Sequence, residues 1–154
     1  MEERDIEDED GRNEDMMAKA DQASAAAANT PLSDNEAKVL AFAERTIDRL
    51  GIRPTFNGRK YLVYAVFSCI QDPSMLDLLT KELYPKVGRR YMTSAQCVER
   101  SIRHAIAEAW TSFGDDKSRW SETFEPFGAF RDDVKPTAGE VIAMLTILYR
   151  NPQA

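Results

Sequence analysis

Between Ala95 and Ser112 the apolar side chains Val98, Ile102, Ala105, Ile106 and Ala109 recur at steps of three and four. That spacing has the period of an α-helix and lines all five along one side of it. Gln96, Glu99, Arg100 and Arg103 fall on another side. Such a segment must bury its first face against neighbouring elements and leave the second to solvent or a ligand. The same period recurs along the chain. Ser33 and Glu36 have the spacing of a capping box ahead of Val39, Leu40, Ala43, Ile47 and Leu50, and Gly51 is a natural stop. A second helix is predicted from about Arg59 to Gln71, after a loop at Pro54 and Asn57-Gly58. It is apolar over a wide arc, which marks a central helix.

Asp72-Pro73-Ser74 breaks that helix, and a third is predicted over roughly Ser74–Leu83. Pro85 opens a short helix through Tyr91. Met92-Thr93-Ser94 then forms a turn, in which Thr93 or Ser94 can cap the long helix 95–112. A short helix around Lys117–Phe124 and an irregular loop over 125–135 follow. Thr137 and Glu140 form a second capping box for a last helix to about Tyr149. Strand signals are scarce. The expected class is all-α, a compact bundle of about six helices containing a helix-turn-helix.

Charge divides the chain in two. The formal net charge of the 154 residues is −6, but residues 1–29 hold ten acidic side chains against three basic ones. The rest is close to neutral. Within residues 81–103, Lys81, Lys86, Arg89, Arg90, Arg100 and Arg103 face only Glu82 and Glu99. A basic cluster of that density is the electrostatic footprint of phosphate binding. Residues 1–32 read as an acidic, Ala-rich disordered tail, 33–150 as the folded domain and 151–154 as a C-terminal tail. The tail is either a solvating leader or an internal mimic of DNA that competes for Arg89, Arg90, Arg100 and Arg103.

No stretch is apolar over 18 residues, so no membrane span is expected, and Met1-Glu2-Glu3-Arg4-Asp5 does not open a secretory signal. Cys69 and Cys97 are the only cysteines and are not spaced as a pair, which suits a reducing cytoplasm. His104 is the only histidine and has no cysteine or carboxylate at metal spacing, so no metal is expected. No nucleophile–base pair, glycine-rich phosphate loop or carboxylate dyad is present. The chain is expected not to be an enzyme and to need no cofactor.

The polar face of helix 95–112 offers a carboxylate and two planar guanidinium forks. Arginine can bond guanine O6 and N7 together, and glutamate can accept from cytosine N4. The preceding helix carries Lys86, Arg89 and Arg90, placed to cross a phosphate backbone. The alternative is a solvated helix face, because Glu99 and Arg103 are also an i,i+4 ion pair. Cys97 is either a small packed residue or, beside Arg100, a redox-sensitive thiol. Trp110 and Trp120 read as core. Phe124, Phe127 and Phe130 read as a loop pinned to the core, or, if exposed, as a contact for a second copy or RNA polymerase.

Leu83-Tyr84-Pro85, the run Val98-Glu99-Arg100-Ser101-Ile102-Arg103-His104-Ala105-Ile106 and Ala109-Trp110 resemble the C-terminal DNA-binding effector domain of stage-zero sporulation protein A. The resemblance continues at Lys135-Pro136-Thr137, Glu140 and Ile142-Ala143-Met144. Upstream it includes Gly51, Gly58, Tyr61-Leu62, Ala65 and Asp72. It spans about residues 38–150. It implies an all-helical transcriptional regulator that binds double-stranded DNA at short GC-containing boxes, as head-to-tail pairs on tandem sites. Its base contacts match Glu99, Arg100 and Arg103. Its backbone contacts point to Arg89, Arg90, Thr93, Ser94, Gln96 and Lys135. Two departures stand out. Gln96-Cys97 replaces the usual Ser-Arg, and Met92 stands where the turn often has Asn. The roughly 33 residues before the first helix are too few for a phospho-accepting receiver, which takes on the order of 120. The expected protein is a stand-alone relative. Failing DNA binding, it would be a protein-interaction module pairing with a full-length relative.

Overall fold

The computed structural model describes residues 32–128 and 130–151. The expected tail, apart from Leu32, and residues 152–154 lie outside them. Six α-helices and no strand occur among the described residues. They are α1 (Asp34–Arg49), α2 (Asn57–Gln71), α3 (Tyr84–Tyr91), α4 (Ala95–Ser112), α5 (Ser118–Thr123) and α6 (Ala138–Arg150).

Both capping boxes form. Ser33 Oγ accepts from the Glu36 N–H at 3.1 Å while Glu36 accepts from the Ser33 N–H at 3.1 Å. Thr137 and Glu140 reciprocate in the same way at 3.1 and 2.9 Å. Each box satisfies two backbone donors that a helix start leaves without partners. Gly51 adopts the left-handed conformation, φ 82°, and turns the chain away from α1.

The wide apolar arc of α2 makes it the centre of the bundle, where it packs against α1, α4 and α6. Leu62, Ala65, Val66 and Cys69 are fully buried on it. Burial pushes the Cys69 thiol up to about 12, so it stays protonated. α4 crosses α2 at Gly58. A Cβ built there would lie 2.1 Å from the Ser101 carbonyl oxygen, so the glycine sets how closely the two helices meet. Arg150 donates to the Ile70 carbonyl at 3.0 Å and ties the end of α6 to the end of α2. Trp110, Trp120, Phe124, Phe127 and Phe130 pack as one aromatic corner, with Trp110 and Trp120 edge to face at 5.2 Å. Trp120 and Phe124 are buried and Phe130 half-buried. The phenylalanines therefore pin the loop to the core.

The helix expected over Ser74–Leu83 does not form as one α-helix. Asp72 accepts from the Ser74 N–H at 3.2 Å and starts a 3-10 turn over Pro73–Asp77, which ends at Leu78 (φ −133°, ψ 41°). A single π-type turn, Leu79–Leu83, then runs directly into α3, with the Leu83 N–H reaching back five residues to the Leu78 carbonyl at 3.0 Å. Pro85 supplies the reason. It has no N–H to donate, and its ring would press on the carbonyl four residues back. Widening the preceding turn relieves that crowding. The helix ahead of the Met92 turn is thus longer than Pro85 alone suggests.

Candidate nucleic-acid interface

Two features fix the angle between α3 and α4. Met92 is left-handed, φ 58° and ψ 45°, and is the only non-glycine among the described residues with positive φ. At Gly88 a built Cβ would lie 2.6 Å from the Thr93 carbonyl oxygen, while the Gly88 carbonyl accepts from the Thr93 N–H at 2.9 Å. The chain therefore folds back hard on the end of α3 before α4 begins. Asparagine visits the left-handed region more readily than methionine, because its short polar side chain bonds locally. Met92→Asn should raise stability by up to about 1 kcal/mol, read as a higher midpoint in urea with the slope unchanged. A lower midpoint would show that the 81% exposed Met92 side chain makes a contact that matters.

Ser94 caps α4, its Oγ accepting from the Cys97 N–H at 3.0 Å. That bond uses an acceptor site only, and the hydroxyl proton remains free to donate outward. Val98, Ile102, Ala105, Ile106 and Ala109 are all buried on the inner face of α4. Each of the larger ones contributes about 1.5–3 kcal/mol by leaving water, so the helix is firmly seated.

The outer face carries the predicted readers. Arg100 and Arg103 are exposed and Glu99 is half-exposed. Arg103 donates to Glu99 at 2.8 Å. This is the solvated i,i+4 pair, and at about 0.2–0.5 kcal/mol it is cheap to open. Its flank lies over the start of α3. Burial, and then the Glu99 charge, push the Tyr84 hydroxyl up. Arg100 points to the other side, into a 340 Å³ groove with Phe56, Asn57, Ser101 and His104. The α2 N-terminus opens here without a side-chain cap and adds its positive end to the arginine.

Arg89 and Arg90 are exposed at the end of α3, and Gln96 is exposed on the first turn of α4. Thr93 is half-buried. The hydroxyls of Thr93 and Ser101 hold the Cys97 thiol below its ordinary range. Lys135 is exposed on the loop before α6, whose Gly139 packs against Leu79 at the start of the π turn. Lys86 differs from Arg89 and Arg90 in burial, although it shares the Tyr64 ring with Arg90, whose guanidinium lies 4.7 Å from it. Lys86 is half-buried with its ammonium 5.8 Å from the Tyr64 ring, and burial lowers its pKa.

Two side chains beside this face, Asn57 and Lys60, escape the sequence reading, and His104 lies there as its place on the helix implies. Asn57 was expected in a loop but starts α2, next to Arg100. His104 stands one turn beyond Arg100, 66% exposed. Lys60 lies 5.3 Å from the Tyr91 ring and adds a cation behind α3. Among the described residues no group of three His, Cys, Asp or Glu is placed to hold a metal ion. No described helix is long and apolar enough to cross a membrane.

The model of one protein family, described as the sporulation initiation factor Spo0A C terminal, matches residues 43–147. The match runs from within α1 to within α6 and takes in the whole of α3, the Met92 turn and α4.

Proposed function

We propose a function from one premise: the chain belongs to the Spo0A C-terminal family, a family of DNA-binding effector domains in transcription regulation. It acts as a sequence-specific regulator on double-stranded DNA, with α4 lying in the major groove. Glu99, Arg100 and Arg103 read base edges. Arg89, Arg90, Thr93, Ser94, Gln96 and Lys135 bind the backbone and fix the register. Two copies sit head to tail on tandem boxes, and RNA polymerase is the partner at the promoter.

The observation that supports this reading most is the division of α4. Five apolar side chains are sealed in the bundle, and a carboxylate and two guanidinium groups face outward beside a tight turn. Phosphate contacts alone would need no Glu99, since a carboxylate repels the backbone. A carboxylate on the same outward face as two arginines suits base edges, where cytosine N4 donates.

Selection of bound duplexes from random DNA should enrich a short GC-containing box. A gel shift on a tandem-box duplex should persist under excess random DNA. Loss of the shift under that competitor would instead favour the protein-interaction module, which the Gln96-Cys97 replacement of Ser-Arg also suits.

A further inference from the structure

A cavity of about 670 Å³ opens between α1, α2 and the C-terminal end of α3. Its floor is apolar, formed by Leu40, Val63 and Phe67. Its α2–α3 wall is cationic. The Arg90 guanidinium sits 4.7 Å from the Tyr64 ring centre, and Lys60 Nζ lies 5.3 Å from that of Tyr91. Neither base has a carboxylate at ion-pair distance among the described residues. The opposite wall on α1 carries Glu36, held in its capping box, and Glu44.

Leu32, the first described residue, lines this cavity and is 53% exposed. The preceding 31 residues therefore leave the domain at the cavity mouth. They carry the strongest negative charge in the chain, and they include one pair of large apolar residues, Met16-Met17, preceded by Glu14-Asp15 and followed by Asp21. Methionine is unbranched and adapts to irregular apolar surfaces. The fifteen residues from Met17 to Leu32 span at most about 50 Å, so the tether allows a return to the cavity. A short tether also holds the segment at an effective concentration on the order of millimolar.

We propose that this cavity is the docking site of the chain's own residues 1–31, with Met16 and Met17 on the apolar floor and the neighbouring carboxylates against Lys60 and Arg90. Docking takes up Arg90, one of the backbone contacts of the function proposed above. The segment and DNA then exclude one another at the end of α3. That consequence rests on the DNA-binding reading, whereas the docking does not.

A nitroxide at Ala20→Cys, in the full chain carrying Cys97→Ser, tests the docking by nuclear magnetic resonance. Amides at Lys60, Tyr64 and Arg90 should broaden several-fold more than those at Phe127, Phe130, Val134 and Met144, which line a separate groove against α6. The broadening should fall in Lys60→Glu/Arg90→Glu. It should fall likewise at high salt, on the order of 0.5 M, where charges are screened within a few ångströms. Broadening confined to the residues next to Leu32 would overturn the proposal. So would broadening seen only between mixed copies, which would make a second chain the occupant. In a separate arm, replacing Glu14, Asp15 and Asp21 by Gln or Asn should tighten DNA binding several-fold at low salt. Intact broadening with unchanged DNA affinity would retain the docking and remove the competition. A chain that never binds DNA would fail the functional reading and leave the broadening result standing.

Discussion

Replacing Gly58 by alanine lowers the stability of the domain by about 3 kcal/mol and its melting temperature by roughly 10 °C. The added methyl would meet backbone. It would stand 2.1 Å from the Ser101 carbonyl oxygen and 2.9 Å from Ala105 Cβ, both on α4. A flexible side chain can turn aside, but a helical carbonyl moves only with its helix. Relief therefore means pushing α4 off α2, which loosens Leu62 and Ala65 against Ile102 and Ala105, all fully buried. Helix propensity acts the other way, since alanine is favoured over glycine by up to about 1 kcal/mol. The clash is the larger effect. Thermal unfolding followed by circular dichroism measures the balance. A melting point within a degree or two of the parent would mean that α2 and α4 are not locked at this crossing. Gly114 is a useful contrast, because nothing lies within 4 Å of its built Cβ and only the positive φ of 59° opposes a side chain.

The double substitution Arg100→Ala/Arg103→Ala abolishes selective DNA binding while leaving the fold in place. Each good bidentate base contact discriminates by about 1–3 kcal/mol. Two of them amount to about 4 kcal/mol, or nearly a thousandfold in affinity for the preferred box. Both side chains are exposed, and among the described residues the only ion pair lost is the surface bond from Arg103 to Glu99. The melting temperature should therefore shift by no more than roughly 2 °C. Affinity for random duplex should fall less, because only two positive charges are removed from the phosphate attraction. Equal losses on selected and random DNA would mean that the arginines act as charges and not as readers. A large fall in melting temperature would mean that α4 depends on them structurally.

What could be read in the sequence was whatever rests on local chemistry. Both capping boxes, the Gly51 stop and the two faces of α4 follow from residue type and spacing, and the structure has them. The misreadings involve neighbours distant in sequence or backbone states with no residue signature. Asn57-Gly58 is a strong turn signal, yet here it is the first turn of α2. The glycine is needed because Ser101, 43 positions away, comes so close. Nothing about Met92 announces a left-handed residue. The break at Leu78 and the π turn before Pro85 divide a segment whose apolar pattern suggests one α-helix. Lys86 counts as one more positive charge in any tally along the chain. In the fold its ammonium lies near Tyr64, away from the outward position held by Arg89. The outward direction of Glu99, Arg100 and Arg103 follows from the buried stripe behind them. Asn57 beside Arg100 does not, because only the packing of α2 on α4 brings it there, whereas His104, four positions on from Arg100, follows from the helix period.

The division of labour between α3 and α4 is most directly tested by comparing two single substitutions on the same pair of duplexes. Arg100→Ala should bind the selected box about 10- to 100-fold more weakly, lose discrimination at one base pair, and bind random DNA almost as before. Arg89→Ala should weaken both duplexes alike and reduce the slope of affinity against salt by about one. Identical behaviour of the two variants would contradict the account, because it would leave α4 as one more basic surface and no reading helix.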